Sequence, residues 1–243
     1  MIRGIIFDIN GTLIDILTDE YDHAVWRTTA NFLDYYGVRI EPDRLRAYYT
    51  ELNWKQRKES PERYPEFDAA AIFRTVISEF RTEPVKHPRL LAYAASRVFR
   101  AASRRQLIPY PGVPEVMDQL KGRFLLAAVS DGQVLWAYPE LRSAGLEQYF
   151  SCILVSGDFG FRKPDARLFE TVLDQLDLAA EETLFVGNDM FRDIYGAHQA
   201  GMKTIFFKSD QGDHDYHGAD PDYIIYRFRE LPRAVSFLNA QTE

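Results

Sequence analysis

Residues 4–8 read GIIFD, an apolar strand that the chain then leaves without a partner for about ninety residues. A lone strand is not stable, so its neighbours must come from much later in the sequence. Between Leu17 and about Arg105 the apolar spacing is helical. YDHAVWRTTANFLDYYGV places Val25, Phe32, Leu33 and Tyr36 at helical intervals and stops on Gly37. DRLRAYYTEL, DAAAIFRTVISEF and PRLLAYAASRVFRAA follow in the same manner, divided by breaks near Pro42, Pro61, Pro65 and Pro84. No strand is predicted there. From Pro109 the texture alternates. RFLLAAVSDG, CILVSGD, TLFVGND, KTIFFKSD and DYIIYRF read as strands, with helices such as DARLFETVLDQL and FRDIYGAHQAG between them. Alternation of this kind predicts βαβ units and a parallel sheet covered on both faces. The expected fold class is therefore α/β: a doubly wound, Rossmann-like core of residues 1–15 and 106–243, with an all-helical cap domain, 16–105, inserted just after the first strand.

Composition narrows the partners. A net charge of −7 argues against a general nucleic-acid binder, which is usually basic. No apolar run reaches the roughly 18–20 residues of a membrane helix, and MIRGIIFD enters a strand with no signal-peptide plan. The single cysteine, Cys152, can form no internal disulfide and is read as a buried apolar side chain. The expectation is a cytoplasmic protein with a small-molecule partner.

In open α/β sheets ligands collect beyond the carboxyl ends of the strands. Those ends here are Asp8 and Asn10, Ser130 and Asp131, Gly157 and Asp158, and Asn188 and Asp189. A helix cap explains any one of them but explains the set poorly. Asp189 and Asp193 are four apart at the start of a predicted helix, so they can face one way. With Asp8 they make an oxygen-rich set suited to Mg²⁺. Lys163, in GDFGFRKPD, is read at a helix start, where a cation opposes the dipole unless an anion is near; a phosphate contact follows. Arg162 beside it is read as solvated.

Asp8 in FDINGTL, Ser130 in AAVSDG, Lys163 in GFRKPD and Asp189/Asp193 in FVGNDMFRD resemble, in order and spacing, the four motifs of the haloacid dehalogenase-like hydrolase superfamily. The helical insert resembles its C1 cap, as in the phosphoglycolate phosphatase and dehalogenase branch. The resemblance implies a phosphohydrolase acting on a small phosphorylated metabolite. Asp8 would form an aspartyl-phosphate. Ser130, Asp131 and Lys163 would hold the phosphoryl oxygens, and Mg²⁺ would sit on Asp8, the backbone carbonyl of Asn10, and Asp189 or Asp193.

Two positions depart from the family pattern. Asn188 takes the place of the first acid of the fourth motif. Asn10 stands where family phosphatases carry the aspartate that protonates the leaving oxygen, and an amide cannot exchange that proton. The sequence leaves four readings: a phosphatase limited to good leaving groups, one in which a cap residue such as His23 stands in, a 2-haloacid dehalogenase, or a phosphate-binding regulatory relative. The basic stretches 81–105 and NWKQRKE (53–59) are further places where an anion would be drawn, and His214 and His217 have an HxxH spacing.

Overall fold

The computed structural model describes residues 1–241. In chain order its elements are β1 (Gly4–Phe7), β2 (Ile14–Thr18), α1 (His23–Tyr35), α2 (Pro42–Glu59), α3 (Ala69–Phe80), α4 (Pro88–Ser103), β3 (Arg104–Pro109), α5 (Val113–Leu120), β4 (Leu125–Ser130), α6 (Val134–Ser143), β5 (Cys152–Val155), α7 (Ala166–Leu176), β6 (Thr183–Gly187), a π-helix (Met190–Tyr195), α8 (Gly196–Gln199), β7 (Lys203–Phe207), β8 (Tyr223–Ile225) and α9 (Leu231–Ala240).

Six parallel strands form one sheet in the order β5-β4-β1-β6-β7-β8. The two-residue period of the strands divides their apolar side chains between two cores. Ile5, Phe7, Leu126 and Val186 face α5 and α9 through Val113, Val116, Leu231 and Leu238. Ile6, Val129 and Phe185 face α7 through Leu168, Phe169 and Val172. The sheet is thus covered on both faces, as the alternating sequence predicts. β1 lies between β4 and β6. The chain first builds outward on one side of β1 and then crosses to the other. The crevice beyond the carboxyl ends of β1 and β6 is therefore the topological switch point.

Helices α1–α4 share a separate core of Trp26, Leu33, Tyr49, Phe73, Val76 and Phe99. Capping sets their starts. Asp22 accepts from Ala24 N ahead of α1 and Asp68 from Ala71 N ahead of α3, while α2 and α4 open on Pro42 and Pro88. Trp136 of α6 enters this helical core, its indole N–H 3.0–3.1 Å from the Oγ and carbonyl of Ser96.

Three details differ from the sequence reading. The helical stretch is framed by an antiparallel ribbon, β2 against β3, running from Ile14↔Pro109 to Thr18↔Arg104. Its short, half-exposed strands are about ninety residues apart and leave no local hairpin signal. The predicted helix after β6 is a six-residue π-helix followed by one α turn. Cys152 is half-buried rather than buried, and desolvation pushes its thiol pKa up. No helix among the described residues is long and apolar enough to cross a membrane.

Candidate active site

Four loops deliver the polar residues to the switch point. Asp8 follows β1, its N–H donating to Val186 O of β6 at 2.9 Å. The chain then turns through Gly11, whose φ of +89° favours glycine and where a Cβ would strike the Asn188 amide. Ser130 ends β4, Lys163 comes from the loop after β5, and Asn188 and Asp189 follow β6. Lys163 is not in a helix turn. It precedes Pro164 across a cis peptide bond, and Asp165 caps α7 by accepting from Arg167 N. The lysine side chain instead runs inward.

At the centre is a buried ion cluster. Lys163 Nζ donates to Asp8 Oδ1 at 2.6 Å, to Asp193 Oδ1 at 2.7 Å and to Val129 O at 3.1 Å, so all three ammonium protons have acceptors. Burial acts to lower the lysine pKa, but the carboxylates of Asp193, Asp8 and Asp131 outweigh it and raise it above the ordinary value. Burial pushes the Asp193 carboxyl up to about 6 against the pull of Lys163. Asp193 Oδ2 accepts from the N–H groups of Asn188 and Asp189, both at 3.1 Å. Only glycine fits at 187, because a Cβ there would overlap the Asp193 side chain. On the other side of Asp8, Thr12 Oγ1 lies 3.0 Å from both Asp8 Oδ2 and Asn188 Oδ1. The two oxygens of Asp8 are thus held by Lys163 and Thr12.

Asp189 turns elsewhere. Its carboxylate caps the π-helix, accepting from Phe191 N at 3.1 Å and Arg192 N at 2.7 Å, and it takes Arg192 Nε at 2.8 Å and Asp213 N at 3.1 Å. Burial alone would raise its pKa, but Arg192 and the backbone donors hold it below the usual carboxylate range. The four-residue spacing thus brings Asp193, not Asp189, to the Asp8–Lys163 pair. Among the described residues no group of three or more acids, histidines or cysteines is arranged to hold a metal.

A cavity of ≈ 220 Å³ opens at this point. Asn10, Ser130, Asp131, Arg57, Glu66 and Arg192 are among the residues that line it. The nearest acceptor of the Ser130 hydroxyl is the Asp131 carbonyl at 3.5 Å, so that hydroxyl is essentially uncommitted. Asp131 Oδ1 accepts from Lys163 N at 3.0 Å, while Oδ2 is buried and has no hydrogen-bond donor. Desolvation raises the Asp131 pKa. Asn10 Oδ1 is likewise buried without a donor.

The remaining sequence candidates fall as follows. His23 is exposed, 3.7 Å from Asp43, and does not line the cavity. His214 Nε2 meets Gln211 O at 2.9 Å, and His217 is exposed. Arg162, read as solvated, lines the cavity; Tyr64 O accepts its N–H and fixes the loop. Of the basic stretches, Arg100 and Arg57 reach the cavity, Arg100 paired with Glu140 at 2.6 Å. Sequence reasoning missed Thr12, Glu66, Gln133 and Arg192. Thr12 was visible in the Asn-Gly-Thr turn; the others are placed by tertiary contacts alone.

The chain matches the model of the haloacid dehalogenase-like hydrolase family over residues 2–201. It is 25% identical to the glyceraldehyde 3-phosphate phosphatase of Pyrococcus furiosus, covering 99% of this chain and 94% of that protein. Among solved structures, 2-haloacid dehalogenase from Pseudomonas syringae superposes with a TM-score of 0.71 at 24% identity, over 98% of this chain and 100% of that one. The HAD-hydrolase YfnB from Bacillus subtilis, solved bound to magnesium, gives a TM-score of 0.57 at 26% identity, over 97% and 99%. Four motifs in register, a shared fold and a family match over most of its length agree: this chain belongs to the haloacid dehalogenase-like hydrolases.

Proposed function

We propose that the protein is a phosphohydrolase of small phosphorylated metabolites that works through Asp8, with residues 16–105 capping a core of 1–15 and 106–243. The observation that carries this reading is the Asp8 carboxylate at the switch point, held between Lys163 and Thr12, with the uncommitted hydroxyl of Ser130 at the end of the neighbouring strand. One Asp8 oxygen attacks phosphorus in line, the bond to the leaving oxygen breaks, and an aspartyl-phosphate forms. Water then attacks phosphorus, releasing phosphate and restoring Asp8. The Ser130 hydroxyl holds a phosphoryl oxygen as charge builds, and the Lys163 ammonium, whose three protons lie on Asp8, Asp193 and Val129 O, joins it by exchanging one of those acceptors.

The donors near Asp8 suit Mg²⁺. They are hard oxygens, and Asn10 Oδ1 is a buried one with no hydrogen-bond partner. Asp8, Asn10 and Asp193 would hold the ion, and Asp189 would join only by giving up Arg192. When bound, Mg²⁺ offsets the charge of the phosphoryl oxygens. The magnesium bound to YfnB supports this assignment.

Asn10 donates no proton to the leaving oxygen, so wild type should favour esters whose leaving group needs none. The test compares wild type, Asn10→Asp and Asp8→Asn on aryl and alkyl phosphates with Mg²⁺. Asp8→Asn should abolish turnover, and Asn10→Asp should raise alkyl phosphate turnover by ~10²–10⁴. A wild type already fast on alkyl phosphates, with no gain in Asn10→Asp, would overturn the missing-acid reading. One observation favours a second activity: Lys163 bridges Asp8 and Asp193 directly, so the Asp8 carboxylate is oriented by a side-chain cation, and an oriented carboxylate could attack the halogen-bearing carbon of a 2-halo acid and expel halide. Halide release insensitive to a chelator, without phosphatase activity, would select that reading.

A further inference from the structure

The helical segment holds a larger cavity, ≈ 710 Å³, between the start of α1 and the length of α2. Its walls include Glu20, Trp26, Tyr49, Trp54 and Arg57. Arg57 also lines the catalytic cavity, so one side chain is common to both. The smaller cavity suits a phosphoryl group and a few atoms; the larger lies within the range of organic-ligand sites.

Two donors in this wall are unsatisfied. Tyr49 is 4% exposed, and its hydroxyl has no hydrogen-bond partner. Arg57 Nε is also buried and unpartnered. The closest carboxylate to Arg57 is Glu66, 3.9 Å from Nη2 and beyond hydrogen-bond reach. Leaving a buried donor unpaired is costly, and two on one helix beside one cavity call for a ligand that brings acceptors. The guanidinium asks for an anionic one. Burial raises the Tyr49 phenol well above its ordinary pKa, so it meets that ligand as a neutral donor. Glu20 faces the same space, 3.9 Å from Arg100, and keeps a second anionic group away from its end. Trp54, 60% exposed, offers an apolar body the ring face that Lys58 leaves open, while Trp26, packed on Tyr49 and Phe99, closes the wall behind.

Resting on the phosphatase reading, we propose that this cavity receives the leaving group of the substrate, and that the leaving group is an organic acid. Its carboxylate meets Arg57 where the two cavities adjoin, and its apolar body extends along Trp54 toward Tyr49. The substrate class is a phosphate monoester of a hydroxy acid.

The test has two arms, each run on wild type, Arg57→Gln and Tyr49→Phe. The first measures kcat/KM for 4-(carboxymethyl)phenyl phosphate against phenyl phosphate. Wild type should prefer the carboxylated ester, and the preference should fall about tenfold or more in each variant, through KM. The second titrates the phosphate-free acid, 4-hydroxyphenylacetate, by calorimetry; saturable binding should weaken in both variants. Tyr49→Phe should meanwhile raise Tm, because it removes an unsatisfied hydroxyl and keeps the ring contacts with Trp26, Phe73 and Phe99. That gain separates loss of binding from loss of folding. Hydrolysis without a carboxylate preference, and without acid binding, would overturn this inference and leave the phosphatase standing. Hydrolysis of neither ester would overturn the phosphatase reading instead, while acid binding lost in Arg57→Gln would still support an anion on Arg57.

Discussion

Asp8 and Ser130 were legible because each sits at or just beyond a strand end, and Lys163 and Asp193 because each lies in a short polar stretch that follows one. Glu66 was not. It lies in a proline-containing loop and gains its meaning from Gly160, whose carbonyl accepts its N–H at 2.9 Å, and from Ser156, whose hydroxyl donates to its Oε2 at 2.7 Å. Desolvation raises its pKa, with Asp131 adding to the shift and Ser156, Phe67 N and Arg162 opposing it. A carboxyl whose folded pKa exceeds its unfolded value contributes stability that is complete below the unfolded pKa and is lost as pH rises through the folded one. Glu66→Gln should therefore match wild type in Tm in acid and become progressively more stable than wild type toward neutral pH. A Tm difference that stays constant with pH would refute the assignment. Asp189 shows the limit of reading a motif by residue type: the sequence supplies the carboxylate, and Arg192 decides where it points.

The elements were read well where a period ran long and poorly where a partner was remote. The helices of the 23–103 stretch and the six sheet strands follow from their own patterns. The ribbon of β2 and β3 does not, because each strand is short and its pairing is set by the fold. The start of α3 is a related case. Asp68 caps it visibly, but Gln133, from the loop before α6, completes it: its Oε1 accepts from Ala69 N at 3.0 Å and its Nε2 donates to Phe67 O at 2.6 Å. One core amide thus holds a helix of the other layer by both of its ends. Gln133→Ala leaves a buried N–H and C=O unpaired and should cost roughly 1–3 kcal/mol. Urea unfolding should show a lower midpoint at unchanged slope; an unmoved midpoint would mean that water replaces the amide.

At the scale of the molecule, the helical core is joined to the sheet and its two cores by a thin set of contacts. Trp136 inserts into the helical core, Arg100 pairs with Glu140, and the 64–66 loop exchanges backbone hydrogen bonds with Gly160 and Arg162. Replacing residues 19–103 by Asn-Gly, with Leu135 and Trp136 made polar, should leave a chain that unfolds cooperatively with the circular dichroism of a parallel α/β sheet. Loss of cooperativity would mean that the sheet depends on the helices above it. The reason to expect survival is the ribbon. Thr18 stands opposite Arg104, so the chain departs and returns at a single point. In polymer terms the helical segment is a closed loop whose ends are already tied. Doubling the length of such a loop adds only about 0.6 kcal/mol of closure entropy. Insertions, deletions or wholesale exchange of that segment would pass almost unnoticed by the register of β1 with β4 and β6, and Asp8 would stay where it is while the chamber above it was rebuilt.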